Sequence, residues 1–326
     1  MDLFNFEKKI FQISNQSDFE KLAIKLFNYQ ITHNIVYKKY CKLLGCTASK
    51  IKRVEQIPFM PIDFFKTEKV LCKNTTPNHF FLSSGTTSEK KSKHYIHSLK
   101  LYEKTISNSF EKFWGKINNY RFFCLTPKKE EAPNSSLVHM CDFFVKKTKN
   151  LKSGFYLKKT KQLIDDIKIS QQNNQVFILI GLSFAILDFA QKNNIDLHGG
   201  HVIETGGMKN TRKEMIREEL YKILKEKFKI NSIQSEYGMT ELLSQSYSLK
   251  NGDFESPPWK KIFIRDKLNP LKINNLSSGG VNIIDLSNIY SCAFLATEDF
   301  GRVNKNKFKI LGRLKNSSLR GCSTMI

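Results

Sequence analysis

Apolar residues recur at three- to four-residue spacing through positions 1–45, among them Phe19, Leu22, Ile24, Leu26, Phe27 and Ile31. That spacing predicts helix. Pro58 and Pro61 in IPFMPIDFFK end any helix there and predict an extended lead-in to the core. HFFLS (79–83) predicts a strand, SLKLYEKTISNSFEKFW (98–114) an amphipathic helix behind it, and YRFFCLTP (120–127) a second apolar strand stopped by proline. VFILIGLSFAILDFA (176–190) predicts a buried strand to Ile180, a turn at Gly181 and a helix from about Ser183. HVIETGG (201–207) repeats the strand-to-glycine pattern, Thr211 to Phe228 predicts a charged helix, and INSIQSEYGMTE (230–241) predicts a strand running into a loop. From about residue 260 the pattern changes to the short strands KIFIRD, GGVNIIDLS, CAFLAT and KFKILG. Strands alternating with helices and then a run of short strands predict an α/β fold, with a body over 1–258 and a β-rich lobe over 259–326.

Composition adds bounds. The 326 residues, 40% hydrophobic and 12% aromatic, suffice for a packed core. MDLFNFEKKIFQ mixes charge with apolar residues and is no signal peptide. The longest apolar stretch, 176–190, contains Asp188 and is too short to span a bilayer, so a cytoplasmic protein without a membrane span is expected. Seven cysteines form no C-x-x-C pair and predict free thiols. No cysteine or histidine group has zinc-finger spacing, and His94 and His97, three apart on a strand, point to opposite faces. The net charge of +23 is spread along the chain without an arginine and aromatic platform, which argues against nucleic acid as the partner.

The candidate chemistry begins at Ser83-Ser84-Gly85-Thr86-Thr87-Ser88, directly after an apolar strand and before Lys90, Lys91 and Lys93. Unpaired backbone N–H groups, five hydroxyls and nearby lysines suit the oxygens of a polyphosphate. It is not a Walker A loop, because Lys90 stands where the second glycine belongs. On these residues alone, a phosphate loop and a polar surface turn both remain open.

Further segments follow in order: SEYGMTE (235–241), TEDFG (297–301) and GRLK (312–315). With SSGTTSEKKSKH they resemble the core motifs of the adenylate-forming superfamily, which includes acyl-CoA synthetases and nonribosomal adenylation domains. IPFMPIDFFK, ETGGMKNTRKE, EYGMTE and GRLKNSSLRGCS resemble one branch more specifically, the acyl-protein synthetases of bacterial luminescence systems (long-chain-fatty-acid–protein ligases). This likeness covers nearly the whole chain from about residue 55. It implies layered sheets flanked by helices. The implied activity is ATP- and Mg²⁺-dependent activation of a carboxylic acid, a fatty acid by the nearer resemblance, to an acyl-adenylate, followed by acyl transfer to a thiol.

The resemblance implies roles residue by residue. Ser83, Ser84, Gly85, Thr86 and Thr87 would hold the β- and γ-phosphates, and Lys90, Lys91 and Lys93 could neutralise the leaving pyrophosphate. Gly206 and Gly207 would bring backbone against adenine or the acyl group. Tyr237 would lie on adenine, Gly238 would let the backbone approach, Thr240 would donate to an α-phosphate oxygen, and Glu241 would hold Mg²⁺. Without that context, Tyr-Gly-Met-Thr-Glu reads as a tight turn into a helix capped by Thr240. Asp299 would accept from the ribose diol, Arg313 would lie near ribose or phosphate, and Lys315 falls at the family hinge. His139, between the phosphate loop and the Gly-Gly turn, could orient the substrate carboxylate, with a structural histidine as the plainer reading.

Two departures stand out. Ser88 replaces a family glycine, and only eleven residues follow Lys315, so the lid domain of full-length relatives is expected to be lacking. Cys322, next to Arg320 and Gly321, is then the implied acyl-accepting nucleophile, since a C-terminal cysteine does this work in the luminescence relatives. An acyl-CoA-reductase-like or carrier protein is the implied partner. An aryl or amino-acid adenylating enzyme, a CoA-ligase-like transferase and a basic binding module with a degenerate adenylation fold are the alternatives.

Overall fold

The computed structural model describes residues 1–84, 90–206, 215–250, 252–267, 269–273 and 277–314. Helices run over α1 (Leu3–Ile10), α2 (Gln16–His33), α3 (Ile35–Leu43), α4 (Phe64–Thr67), α5 (Leu99–Trp114), α6 (Ser136–Thr148), α7 (Thr160–Gln172), α8 (Ser183–Lys192) and α9 (Arg217–Phe228). Strands run over β1 (Met60–Pro61), β2 (His79–Leu82), β3 (Lys93–Ile96), β4 (Arg121–Leu125), β5 (Gly154–Phe155), β6 (Phe177–Leu182) and β7 (Gly200–Thr205). They continue with β8 (Gln234–Tyr237), β9 (Ser246–Ser248), β10 (Phe254–Glu255), β11 (Lys260–Arg265), β12 (Ser278–Asp285), β13 (Phe294–Asn304) and β14 (Lys307–Arg313).

Short-range chemistry sets the starts of five of these helices. Asp2, Asn15, Asn34, Ser98 and Ser135 cap α1, α2, α3, α5 and α6, each side chain accepting from the main-chain N–H three residues on. α5 stops at Gly115, whose φ of 76° suits a residue without Cβ. The proline-rich lead-in pairs as a strand at β1, and Phe64–Thr67 then forms one helical turn that buries Phe65. α9 starts at Arg217, after an extended Ile216, so Met215 and Ile216, which were expected in the helix, lie outside it. Its first turn carries Glu218 and Glu219, which suit the positive helix end. Residues 211–214 lie outside the described residues.

β6 runs straight through Gly181, where a turn was expected. A Cβ there would lie 2.7 Å from Leu125 Cβ and 2.9 Å from Leu125 O. The glycine therefore serves close packing against β4 rather than chain reversal.

Twelve of these strands share one sheet, in the order β11-β12-β13-β14-β10-β9-β8-β7-β6-β4-β5, with β1 alongside β13. The stretch β8-β7-β6-β4-β5 is parallel, and from β8 onward to β11 the neighbours are antiparallel. β2 and β3 form a separate antiparallel pair. β6 is buried on both faces, as a central parallel strand must be. Ile178 and Ile180 join the core that also holds Phe27, Phe110 and Leu295. Phe177 and Leu179 join a second core with Leu187 and Leu224, under α8 and α9. The first core draws on both sides of residue 258, and β14 pairs with β10 across the same position. No helix among the described residues is long and apolar enough to cross a membrane.

Candidate active site

The C-terminal ends of the parallel strands β7 and β8 carry the glycine turns, the usual place for ligands in such sheets. β2, in the separate pair with β3, leads into the Ser/Thr loop. The Ser83 N–H donates to Ser92 O at 3.0 Å and the Ser92 N–H to Ser83 Oγ at 2.9 Å, which closes the base of the loop. Ser84 is exposed, and Gly85, Thr86, Thr87 and Ser88 lie outside the described residues. Lys90 and Lys91 are exposed. Lys93 is half-buried, and its ammonium sits 4.0 Å from the Phe80 ring centroid and 4.9 Å from that of Tyr95.

Beyond β7, Gly206 has a φ of 75°, a conformation that favours glycine. Its carbonyl lies 2.7 Å from Ser183 Oγ, which is also 2.6 Å from Glu204 Oε2. Gly207 lies outside the described residues. Glu236 pairs with Thr205 across β7 and β8, and the Thr205 hydroxyl donates to its Oε2. Glu236 Oε1 packs so closely on the next glycine that a Cβ at Gly238 would lie 2.4 Å from it. Burial pushes the Glu236 carboxyl up to about 7, with Glu204 adding to the rise and Thr205 and Lys260 opposing it. Lys260 is itself buried and is pushed down to about 8 by desolvation, against the pull of Asp285 and Glu236.

Tyr237 and Asp299, 62 positions apart, meet here. The Tyr237 hydroxyl donates to Asp299 Oδ2 at 2.7 Å. Phe254 and Phe308 pack on the tyrosine ring at 5.8 and 5.5 Å, and Lys260 Nζ lies 5.2 Å from its centroid. Burial and then the Asp299 charge hold the phenol well above its ordinary pKa, so it stays a donor. Arg313 faces Asp299 across β13 and β14 and lies 3.6 Å from Glu298 Oε2. Lys315 and Cys322 lie outside the described residues.

After Gly238 the chain makes the expected tight turn, but no helix follows it. Side chains from elsewhere hold it instead. His94 Nδ1 lies 2.8 Å from Thr240 O, and Asn288 Nδ2 donates to Glu241 O at 2.7 Å. Asp285 accepts from the Leu243 and Ser244 N–H groups and from the Ser244 hydroxyl, and Lys260 Nζ donates to Ser244 O. Gln30 of α2 donates to Asn288 O, so the N-terminal helices brace the same connection. Thr240 and Glu241 are buried. Among the described residues no three His, Cys, Asp or Glu side chains gather as a metal-binding group. Glu241 offers a carboxylate, which fits an ion completed by phosphate oxygens and water.

His94 is buried on β3, whereas His97 falls just past the strand end, 2.8 Å from Thr76 O through Nδ1. His139 is buried on α6 with Nε2 3.2 Å from Glu103 Oε1, and burial lowers its pKa. Glu204, Glu236, Lys260 and Asn288 were not singled out from the sequence, and His94 was weighed there only as a metal ligand. The available signal was polarity on a position that alternation makes inward-facing, as at His94 in KHYI, whereas QSEY is buried at three successive positions and carries no alternation to mark Glu236.

A family model described as acyl-protein synthetase, LuxE, matches residues 4–326. No curated protein matches. ATP-bound MatB from Rhodopseudomonas palustris superposes with a TM-score of 0.53 at 14% identity, over 72% of this chain and 47% of that one. The chain thus spans about half the length of the MatB structures it matches. 2-Hydroxyisobutyryl-CoA ligase, in its postadenylation state with R3-HIB-AMP, gives a TM-score of 0.66 at 11% identity over 93% and 69%. McyG A-PCP complexed with phenylalanyl-adenylate gives 0.51 at 14% over 85% and 46%. At such identities the likeness is one of fold, and the fold is that of the adenylate-forming enzymes.

Proposed function

The chain belongs to the LuxE acyl-protein synthetase family, and from that premise we propose that it activates a carboxylic acid with ATP and passes the acyl group to a protein thiol. In the first step a carboxylate oxygen attacks the α-phosphorus, the bond to the β-phosphate oxygen breaks, and pyrophosphate leaves. In the second a thiolate attacks the acyl carbon, forming a thioester and expelling AMP. A fatty acid is the substrate class we favour, with Cys322 or a partner protein as acceptor.

What supports this reading is the Tyr237–Asp299 hydrogen bond with Arg313 facing Asp299. It gathers three motifs, distant in sequence, at the C-terminal ends of the parallel strands. In this reading Ser83, Ser84, Gly85, Thr86 and Thr87 hold the outer phosphates, and Gly206, Gly207, Tyr237 and Gly238 contact adenine. Asp299 and Arg313 contact ribose. Thr240 donates to an α-phosphate oxygen where charge accumulates. Glu241 would hold Mg²⁺, whose charge offsets that of the phosphates.

Carboxylate-dependent exchange of labelled pyrophosphate into ATP is the test. Fatty acids are expected to support exchange in the parent, and Glu241→Gln is expected to reduce it by at least roughly tenfold. Equal exchange in that variant would remove the metal role, and no exchange with any acid would remove the activity. Labelled acyl group retained equally by the parent and Cys322→Ser would remove the cysteine.

A further inference from the structure

The Ser/Thr loop and the Thr240–Glu241 turn come from different sheets, so something must fix one against the other. Alternation along β3, Lys93-His94-Tyr95-Ile96, turns His94 inward with Ile96. His94 is 1% exposed and packs edge-on against Phe65. Nδ1 lies 2.8 Å from Thr240 O, and Nε2 lies 2.8 Å from Ser291 Oγ.

A carbonyl oxygen only accepts, so Nδ1 must carry the hydrogen. Burial pushes the ring down to about 4, which keeps it neutral. Nε2 is therefore the acceptor, and the Ser291 hydroxyl donates to it. Ser291 is held in turn, because its own carbonyl accepts from Asn34 at the cap of α3. The ring thus has one orientation and one tautomer. Two residues before it, Ser92 closes the base of the Ser/Thr loop on Ser83.

We propose that His94 is a positioning residue that clamps β3, and with it the Ser83–Ser92 base of the loop, onto the Thr240 carbonyl, so that this base and the Thr240–Glu241 turn keep one relative placement. Its side chain stays in the core and acts through Thr240. The catalytic consequence rests on the adenylation reading above, whereas the clamp itself does not.

Asparagine and glutamine separate the two ring nitrogens. An asparagine amide falls near the Nδ1 position and can still donate to Thr240 O, while a glutamine amide falls near Nε2 and cannot. In pyrophosphate exchange, His94→Asn is expected to stay near the parent. His94→Gln is expected to lose roughly 10- to 100-fold in kcat with KM for the acid held, as misplacing a transition-state donor does. Amide hydrogen exchange at 239–244, measured without nucleotide, is expected to quicken in His94→Gln and not in His94→Asn. Equal kcat per folded protein and equal amide exchange in the two variants would overturn the proposal. If the parent shows no pyrophosphate exchange, the adenylation reading falls and amide exchange alone decides the clamp.

Discussion

Replacing Glu236 by glutamine retains the side-chain shape and an oxygen for the Thr205 hydroxyl while removing the ionisable group. The parent carboxyl is 7% exposed and titrates at about 7, against 4.5 for an unperturbed glutamate. Between those values the folded protein keeps a proton that the unfolded chain has released. The folded state therefore gains stability from this group as pH falls. The gain is complete below 4.5 and is lost as pH rises through about 7, where the charge must exist in the interior. At 1.36 kcal/mol per pH unit, the gap corresponds to about 3 kcal/mol. Glutamine has no such dependence, so the stability of Glu236→Gln relative to the parent should rise by about that amount from mild acid to mild alkali. Urea unfolding midpoints at about pH 5 and about pH 8.5 measure it. Two curves that stay parallel across that range would show that Glu236 ionises as an ordinary glutamate, and the desolvation argument would fail.

Two further substitutions probe other links. Gly181→Ala forces a Cβ into Leu125 Cβ and O, so it should destabilise by roughly 1–3 kcal/mol in thermal unfolding. An unchanged melting point would mean that β4 and β6 can separate. Tyr237→Phe removes the hydrogen bond to Asp299 and should weaken ATP-dependent exchange by about 1–2 kcal/mol, roughly 5- to 30-fold in kcat/KM, with the fold intact by circular dichroism. Undiminished kcat/KM would detach that bond from nucleotide binding.

Elements that depend on neighbouring residues were legible in the chain. Ser98 and Gly115 bound α5 because a cap and a left-handed stop act within one helical turn. FILI in β6 announced a central strand because both its faces are buried. Gly181 misled, since a glycine looks the same in sequence whether it turns the chain or admits a neighbouring strand. The Arg217 start of α9 was missed because no side-chain cap marks it.

The motif residues Tyr237, Gly238, Thr240, Glu241, Asp299 and Arg313 could be picked out from the order of their segments, and that order is a property of the sequence alone. Their environment is not. Strand registry brings Tyr237 to Asp299 and Arg313 opposite it. Packing of β3 and of the connection after β12 on the 239–244 turn makes His94 and Asn288 its supports. Propensity and capping act over a few residues, so sequence carries them openly. Desolvation and hydrogen bonding at Glu236, Lys260 and His94 depend on atoms from distant segments, and only the folded arrangement brings those atoms within reach.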